Sequence, residues 1–591
     1  MRKTMKKLIR IFLLITLALS AMAFIGCGKD ESNSASKMEE RTVPVYFADI
    51  EHSGELTLNY FDGINDIPYI RLEEIAKLLN GLYSAFHETA YNVTTKVDGG
   101  AYTLIRENGS TVTLTPETQR ITFSQVGSFN MDPDHASNIL DIVLTGGPDP
   151  DSDLFIHRKN AVRLAAPYMI ELEKYHIEMK EGNGTVYIPL QTVSDLFLSP
   201  IETCAAYNGK IVACTSGGLT DELGPKGELG EMFYDCERGQ RSDDLAFFCY
   251  NELCLGLDFN YGLKEKHHIT DFASFFAETG LTEQLMSNDP FVSDSAITCL
   301  CNLYFGDLHS SFGSVSPLLE PTTSTISQEL FSYDLMSYMT NSLMINEGRR
   351  ESYGKPTEVP AYEEVGNTAY ITFDVFTMDT ERDYYSADLS EAAEYTCSNA
   401  DTALLLCYAN QQIHRKNSPI ENVVLDLRCN GGGFLDAAMA TCSWFLGTSC
   451  LHLEDAIDGA QASTCYQFDA NLDHVYSSDT DCVNGLGMNR FCLISPASFS
   501  CGNLVPALFK SNGLVTLIGQ RSGGGACAVG TMSLADGTIF TCSNRYRIST
   551  SINGSYIDVD EGVEPHFTLP DMAQYYDRTK LTEYINGLLW K

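Results

Sequence analysis

Three short segments carry residue types that hydrolytic chemistry uses at the corners between secondary-structure elements. The first, residues 426–433, reads Asp-Leu-Arg-Cys-Asn-Gly-Gly-Gly and follows an apolar run that predicts a strand. Three successive glycines let backbone N–H groups approach a ligand closely, as an oxyanion pocket requires. Close packing at a corner would also explain them. Taken alone, this segment predicts either an anion-binding turn or a tightly packed one.

The second segment, residues 496–503, reads Pro-Ala-Ser-Phe-Ser-Cys-Gly-Asn and joins a predicted strand to a predicted helix. A serine at such a corner lies beside the helix N-terminus, whose dipole favours developing negative charge. Plain capping of the helix by Ser498 or Ser500 would satisfy the same pattern. Pro506 lies inside the expected helix and suggests that the helix begins late.

The third segment, residues 305–312, contains Asp307-Leu-His309. Histidine is the side chain that most often acts as a general base, because its pKa lies near neutral pH. The chain has 12 histidines, however, and a lone histidine is more often structural. Its candidacy as a base therefore depends on the other two segments.

In their order and spacing, these segments resemble the tail-specific proteases, also called C-terminal processing peptidases. Residues 515–525 resemble the strand and glycine turn that follow the nucleophile in that family, and residues 560–565 resemble its closing motif. The resemblance covers roughly 368–569 well and 243–312 loosely. It implies an α/β protease core of the crotonase-like type and a serine endopeptidase that acts on proteins or peptides.

The resemblance also implies roles for individual residues. Ser500 takes the position of the nucleophile, His309 that of the base, and Gly432 and Cys501 those of the oxyanion hole. The closing segment supplies the acid, for which Asp560 is favoured and Glu561 and Asp558 are alternatives.

The family has two branches, which differ in the base. Members with a Ser-Lys dyad carry a lysine at about Gly525, but no lysine lies between Lys510 and Lys580. The other branch uses a histidine from an earlier Asp-x-His segment, which 307–309 fits. The PDZ insert of many relatives is missing, because too few residues separate His309 from the core strands.

A rival hypothesis is a non-catalytic cell-surface binding lipoprotein that keeps the protease fold, since fold alone does not guarantee function. The unresolved acid and the unusual Cys501-Gly502-Asn503 after the serine favour it. The presence of both Ser500 and His309 favours the enzyme. A purely structural wall-associated lipoprotein would require the core motifs to be coincidental.

The elements that must position these residues follow an alternating pattern in the C-terminal part of the chain. Apolar runs at 370–373, 422–427, 491–494 and 515–518 predict strands, and helical spacing over 434–446 predicts a helix. Asp536-Gly537 predicts the turn of a hairpin. This alternation is typical of an α/β core.

The rest of the chain divides by composition. Residues 68–79 and 186–197 echo each other as a short strand entering an amphipathic helix, and they resemble copper amine oxidase N-terminal-like repeats. A generic strand-helix unit met twice is an equal alternative, and no histidine cluster indicates copper.

The predicted organisation is a lipoprotein signal peptide (1–27), a flexible tether (28–41), a separate β-rich α+β N-terminal domain with two related strand-helix units (42–215), a mostly helical segment with the base (216–350) and the protease core (351–591).

The N-terminus has the features of an export signal. Basic residues within 2–10 precede the uncharged, largely apolar stretch 11–25, which is short for a membrane span but suits a signal segment. It ends at Gly26-Cys27, which resembles a bacterial lipobox, whose cysteine is lipidated. The alternative is an ordinary secretory signal with a chance cysteine. The prediction is a protein anchored by lipid at Cys27 on the extracytoplasmic face of the bacterial cell membrane.

The charge and composition of the chain exclude some classes of protein. The formal net charge is −39, which argues against sequence-independent nucleic-acid binding because phosphates require Lys and Arg. A hydrophobic content of 44% excludes wholesale disorder. The 19 cysteines leave the disulfide pattern open, and they form no recognisable zinc motif. Neither a metal nor an organic cofactor is indicated.

Overall fold

The computed structural model describes residues 38–64, 66–86, 92–130, 155–163, 166–221, 224–325, 332–379, 382–483, 485, 487–552, 555–569, 571 and 573–589. Over these ranges the protein is a mixed α/β structure with five β-sheets. The predicted signal segment and Cys27 lie outside them. None of the helices within these ranges is long and apolar enough to cross a membrane.

The N-terminal region is rich in strands. Its main elements are β1 (Met38–Phe47), β2 (Ser53–Phe61), β3 (Tyr69–Arg71), α1 (Leu72–Phe86), β4 (Thr94–Asp98), β5 (Ala101–Ile105), β6 (Thr111–Thr115), β7 (Arg120–Phe123), α2 (Val126–Asn130), β8 (Phe155–Arg163), β9 (Tyr168–Glu171), β10 (Lys180–Gly182), β11 (Thr185–Pro189), α3 (Leu190–Val193), β12 (Cys204–Tyr207) and β13 (Val212–Thr215). One sheet has the order β10-β11-β3-β2-β1-β13-β12, and another has the order β4-β5-β6-β7-β9. In β5 and β6, buried side chains alternate with partly exposed ones, as the alternating sequence predicts.

The two segments that echo each other in sequence also meet in space. β3 leads into α1, and β11 leads into the short helix α3. The two strands pair antiparallel, with Ile70 opposite Ile188. Both segments are therefore strand-helix units, and their equivalent isoleucines form a buried pair.

Helices dominate the middle of the chain. The elements are β14 (Thr220–Asp221), β15 (Gly224–Pro225), α4 (Gly227–Phe233), α5 (Asp243–Asn260), α6 (Phe272–Thr279), α7 (Thr282–Leu285), α8 (Pro290–Cys299), β16 (Ser311–Ser314) and α9 (Tyr333–Tyr353). Side-chain oxygens of Ser242, Asp271 and Asp289 accept hydrogen bonds from N–H groups in the first turns of α5, α6 and α8. Such caps fix where each helix begins.

The C-terminal part alternates strands and helices. Its main elements are β17 (Tyr362–Val365), β18 (Thr368–Thr372), α10 (Thr402–His414), β19 (Asn422–Asp426), α11 (Leu435–Leu446), β20 (Ser449–Asp455), β21 (Gln461–Phe468), β22 (Asn489–Ile494), α12 (Cys501–Asn512), β23 (Thr516–Gly519), β24 (Cys527–Ser533), β25 (Ile539–Ile552), β26 (Ser555–Asp558), β27 (Phe567–Thr568) and α13 (Arg578–Leu588). The strands, helix and hairpin predicted from the apolar runs are present with bounds shifted by only a few residues.

A central sheet of order β17-β18-β19-β22-β23-β27 carries the glycine-rich and serine segments. All its neighbours pair in parallel except β17 and β18. Every residue of β18 and β19 is buried, which explains their continuous apolar runs. Because parallel strands end at one edge, the segments after β19 and β22 meet there.

A second sheet brings distant parts of the chain to the same edge. Its order is β16-β25-β20-β21-β8, and β24 and β26 also pair with β25. β16 follows His309 directly, and β26 leads into Asp560. The long strand β25 therefore positions both the candidate base and the candidate acid.

The N-terminal region packs onto the core. β8 pairs antiparallel with β21 and extends the second sheet. One hydrophobic cluster contains side chains of both regions, including Phe259, Tyr546 and Phe123. The two regions therefore share one hydrophobic core.

Helix α12 begins at Cys501 and continues through Pro506. The expectation that the proline delays the helix start is therefore wrong. A proline lacks the N–H that would bond the carbonyl four residues earlier, here Gly502, and the helix tolerates this single missing bond.

Candidate active site

Ser500 occupies a strained corner between β22 and α12. Its backbone has φ 55° and ψ −121°, a conformation that L-residues with a side chain rarely adopt. Its N–H donates to the Gly524 carbonyl at 2.9 Å, and its carbonyl accepts from the N–H groups of Asn503 and Leu504. These bonds hold the strained turn, so Ser500 is the residue immediately before the positive end of the helix dipole.

The two serines of this segment have different roles. Ser498 is fully buried; its Oγ donates to the Leu427 carbonyl at 2.6 Å and accepts from the Ser495 N–H at 3.0 Å. Ser500 is partly exposed, and its side chain does not cap the helix. Ser498 is therefore structural. The Ser500 hydroxyl, in contrast, takes no part in the hydrogen bonds of the described residues.

The glycine-rich segment after β19 lies directly against Ser500. A Cβ built on Gly432, which has φ 114°, would lie 2.7 Å from Ser500 Cβ and 3.1 Å from its Oγ. Any side chain at 432 would therefore displace the serine. The glycine is required here both for its backbone angle and for the close approach.

The two predicted oxyanion donors differ in availability. Gly432 N–H donates to the Asn430 Oδ1 at 3.0 Å, so it is already engaged. Cys501 N–H, the first of helix α12, takes part in none of the hydrogen bonds found among the described residues. The thiol of Cys501 is buried and donates to the Gly433 carbonyl, and burial raises its pKa to about 12.

His309 is placed beside the residue that precedes the serine. Its imidazole ring lies 4.7 Å from the Phe499 ring, centroid to centroid, and the residue is only 7% exposed. Its backbone is held by the Asp307 carboxylate, which accepts its N–H, and by Thr541, which donates to its carbonyl. No hydrogen bond between the imidazole and Ser500 is present in the described part of the chain.

Burial lowers the pKa of the His309 imidazole below its usual value, and the carboxylates of Asp307 and Asp560 oppose this effect. The ring is therefore neutral at neutral pH and able to accept a proton. Its Nδ1 is buried and lacks a hydrogen-bond partner among the described residues. A buried, unpaired ring nitrogen is costly and points to a group that functions with a substrate, water or rearranged side chain.

Asp307 of the Asp-x-His segment anchors the turn. Its carboxylate accepts from the N–H groups of His309 and Ser310 and from the hydroxyls of Tyr261 and Ser543. These contacts tie the segment to α5 and β25. Asp307 therefore fixes the backbone of the histidine, with no hydrogen bond to its ring.

The three acid candidates are in different environments. Asp560 is 7% exposed, its Oδ1 accepts from the Ala526 N–H at 2.9 Å, and its charge acts on His309. Asp558 is exposed and accepts the N–H of Asp560. Glu561 is exposed and lies 3.4 Å from Arg521. Only Asp560 combines burial with an electrostatic effect on the imidazole.

Lys266 is a site residue that sequence reasoning missed. Its Nζ lies 2.5 Å from Asp560 Oδ2 and 3.5 Å from Glu561. Burial lowers the pKa of Lys266, but the two carboxylates outweigh this and raise it above its usual value. No local motif marks this lysine, because it lies almost 300 residues from Asp560 and meets it only through the fold.

Phe499 occupies the space that a lysine at the glycine turn would need. A Cβ built on Gly525, at φ 85°, would lie 2.4 Å from the Phe499 ring. The same ring contacts His309. The Phe499 ring therefore fills the space beside Gly525 and packs against the imidazole of His309.

Residues 406–569 match the family model described as Peptidase family S41. This part of the chain is similar to peptidase family S41. The match includes Ser500, Gly432, Cys501 and Asp560, whereas His309 precedes the matched segment. The S41 assignment confirms the family predicted from the motifs, that of the tail-specific proteases, and it supports a peptidase function.

Comparisons outside the S41 family model give partial matches. The Chlamydia pneumoniae protein CPj1016/CpB1054 is 30% identical over 99 residues, which is 17% of this chain and 16% of that protein. A putative peptidase from Parabacteroides merdae has a TM-score of 0.40 and 15% identity, over 59% of this chain and 97% of that one. The photosystem II D1 C-terminal processing protease has a TM-score of 0.24 and 16% identity, over 34% of this chain and 42% of that one.

Metal ligands are not gathered in the described part of the chain. No group of three or more His, Cys, Asp or Glu side chains there could hold a metal ion. A single disulfide, Cys450–Cys465, joins β20 to β21 within the same ranges.

Proposed function

We propose that the chain is an exported, lipid-anchored serine endopeptidase, built on a crotonase-like core, that cleaves peptide bonds by acyl transfer. The observation that carries this proposal is the corner at Ser500: a strained backbone, an uncommitted hydroxyl, a glycine packed against it and a buried neutral histidine beside it. Strain at a nucleophile turn is typical of sites where geometry is set for chemistry.

In this mechanism His309 accepts the proton of Ser500 Oγ while the oxygen attacks the substrate carbonyl carbon. The resulting oxyanion is stabilised by Cys501 N–H at the helix N-terminus. Gly432 N–H becomes a second donor when it leaves Asn430. His309 then protonates the leaving amine, and a water molecule that it deprotonates hydrolyses the acyl-enzyme.

Asp560 stabilises the imidazolium formed during each proton transfer. Its carboxylate is the negative charge from the closing segment that acts on His309, and its Oδ2 also pairs with the Lys266 ammonium. Charge stabilisation of this kind is the established role of the acid in serine hydrolases.

The binding-protein alternative is favoured by one observation: the described residues contain no hydrogen bond between His309 and Ser500. Catalytic hydrogen bonds are often long in the absence of substrate, so the spacing alone does not decide between the two functions. A chemical test of Ser500 does.

The deciding experiment is covalent labelling of the chain from residue 28 onwards with a fluorophosphonate probe, followed by mass spectrometric mapping. We expect labelling on Ser500, with a rate that falls as the pH drops through a midpoint below about 6.5, because protonated His309 cannot accept a proton. The His309→Ala variant should lose labelling, and His52→Ala, which removes an exposed histidine, should retain it. Absence of label from wild type at every pH would favour the binding protein.

Lipid anchoring is tested separately in a bacterial host. Wild-type protein is expected in the membrane fraction, and Cys27→Ser is expected in the soluble extracytoplasmic fraction, because no acyl chain can then be attached. Cys236→Ser, which changes a cysteine of the folded part, is the matched control. Retention of Cys27→Ser in the membrane after a salt wash would contradict the anchor.

A further inference from the structure

The loop between α5 and α6 carries Lys266 to the candidate acid. The start of this loop is fixed to β25, because the Gly262 N–H donates to the Ser543 carbonyl at 2.9 Å. The Tyr261 ring, one residue earlier, stacks on the Phe305 ring with the centroids 4.0 Å apart. The Lys266 side chain therefore extends from a backbone that is anchored to the core.

Both oxygens of the Asp560 carboxylate are bonded to groups other than the histidine. Oδ2 accepts from the Lys266 ammonium at 2.5 Å, and Oδ1 accepts from the Ala526 N–H at 2.9 Å. Among the described residues, the buried Nδ1 of His309 has no hydrogen-bond partner. In a catalytic triad the acid accepts a hydrogen bond from this ring nitrogen. Here the acid is bonded to the lysine instead.

The ion pair between Lys266 and Asp560 is partly buried, with side-chain exposures of 35% and 4%. Hydrogen bonds between charged groups are about twice as strong as neutral ones, and burial reduces their screening by salt. The carboxylates of Asp560 and Glu561 raise the pKa of Lys266 above its usual value, although burial opposes this. The ammonium therefore stays charged over the whole pH range in which His309 titrates.

The other titratable groups around the pair leave it intact. Asp307 accepts hydrogen bonds from the N–H groups and hydroxyls that surround it, and the exposed Glu561 lies 3.5 Å from Lys266. Burial lowers the pKa of the His267 imidazole, so this neighbour of the lysine is neutral at neutral pH. The remaining groups are Asp558, Arg521, Arg547 and Cys527. Within the described ranges, Asp560 forms an ion pair with Lys266 and with no other cation.

We propose that Lys266 is a positioning residue that holds the Asp560 carboxylate off the His309 imidazole and keeps the site in a resting state; the inference rests on the proposed serine peptidase function. While the pair is formed, the ammonium offsets the negative charge that would stabilise the imidazolium. The lysine side chain is long and partly exposed, so its ammonium can withdraw into solvent while the anchored backbone stays in place. The carboxylate then keeps the Ala526 N–H and accepts the Nδ1–H of His309 through Oδ2.

The test is the rate of fluorophosphonate labelling of Ser500 as a function of pH in Lys266→Met, whose side chain has a similar length and no charge. We expect labelling at neutral pH to be about fivefold faster than in wild type or more, because the base is then oriented and strengthened by the acid. The acid midpoint should move to higher pH, since an Asp560 carboxylate without its cation raises the pKa of His309 further.

Two variants serve as controls. Lys266→Arg keeps a cation at the same position and should label like wild type. Lys264→Met removes another lysine of the same loop, which is paired with Asp258 at 2.6 Å, and it should also keep the wild-type rate and midpoint. Thermal unfolding of each variant shows whether the comparison is made between folded proteins.

The inference would be overturned if folded Lys266→Met labels no faster than wild type, or if its acid midpoint stays at the wild-type value. If Lys266→Met does not fold, wild-type labelling in rising sodium chloride decides: screening weakens the ion pair, so the rate must rise, and a constant or falling rate rejects the inference. Failure of the proposed function has a different signature, since Ser500 would then carry no label in either wild type or Lys266→Met. Label on wild-type Ser500 with unchanged kinetics in Lys266→Met would remove the inference alone.

Discussion

The Ser500→Ala variant is expected to lower kcat/KM for a cleaved peptide by about 10⁴-fold or more while leaving the fold intact. Loss of a serine nucleophile removes the covalent route, and only weak residual rate enhancement from substrate binding and the oxyanion donors survives. Alanine keeps the Cβ of Ser500 and removes only the hydroxyl, so the substitution adds no atom against the closely packed Gly432. The measurement is initial-rate kinetics on a peptide identified from digests of an unfolded protein.

The control for this variant is Ser511→Ala, in the helix that follows Ser500, where the hydroxyl donates to the Leu508 carbonyl at a partly exposed position. It removes a serine hydroxyl without touching the corner and should leave kcat/KM within about threefold. Equal thermal unfolding of Ser500→Ala and wild type is required for the comparison. A Ser500→Ala protein that cleaves at the wild-type rate would remove Ser500 from the mechanism.

The part of the site that lies in contiguous sequence could be predicted without the structure. The glycine segment and the serine corner each consist of a strand end, a turn and a helix start, so residue types alone reveal their local geometry. The family match over 406–569 contains both. Gly432 and Ser500 meet because they follow adjacent parallel strands, a rule that holds for any sheet of this kind.

The parts that depend on long-range packing could not be predicted. Lys266 reaches Asp560 only because the loop after α5 and the segment after β26 lie together. Tyr338 reaches Phe499 through a helix whose periodic pattern does not reveal which face is covered. The attachment of the N-terminal region through β8 and β21 is another such case, because sequence composition shows where a region changes character but not what it packs against.

The glycines of the site predicted the local backbone conformation correctly, whereas the proline did not. Gly432 and Gly525 both have a positive φ, as expected for a glycine-rich turn. At either position a Cβ would collide with a neighbouring side chain. Pro506, in contrast, does not end or delay its helix. A proline removes only one hydrogen bond from a helix, and the surrounding burial of α12 outweighs that cost.

The Asp560→Asn variant is expected to lower kcat/KM by about 10³–10⁴-fold, because the imidazolium of His309 then loses its compensating charge. Asparagine keeps an oxygen for the Ala526 N–H, so the backbone of the closing segment stays in place. It leaves the Lys266 ammonium without its closest carboxylate, and a positive charge near the site further disfavours protonation of the imidazole.

The pH dependence distinguishes this role from a structural one. Since the Asp560 carboxylate raises the pKa of His309, its removal should shift the acid limb of the kcat/KM profile to lower pH. Glu561→Gln and Asp558→Asn change exposed acids of the same segment. Each should keep kcat/KM within about threefold of wild type and leave the acid limb of the pH profile where it is. If Asp560→Asn lowers the unfolding temperature but leaves the acid limb where it is in wild type, then Asp560 serves only to anchor Lys266. The charge that stabilises the imidazolium would in that case have to come from Asp307, the other carboxylate that acts on the ring.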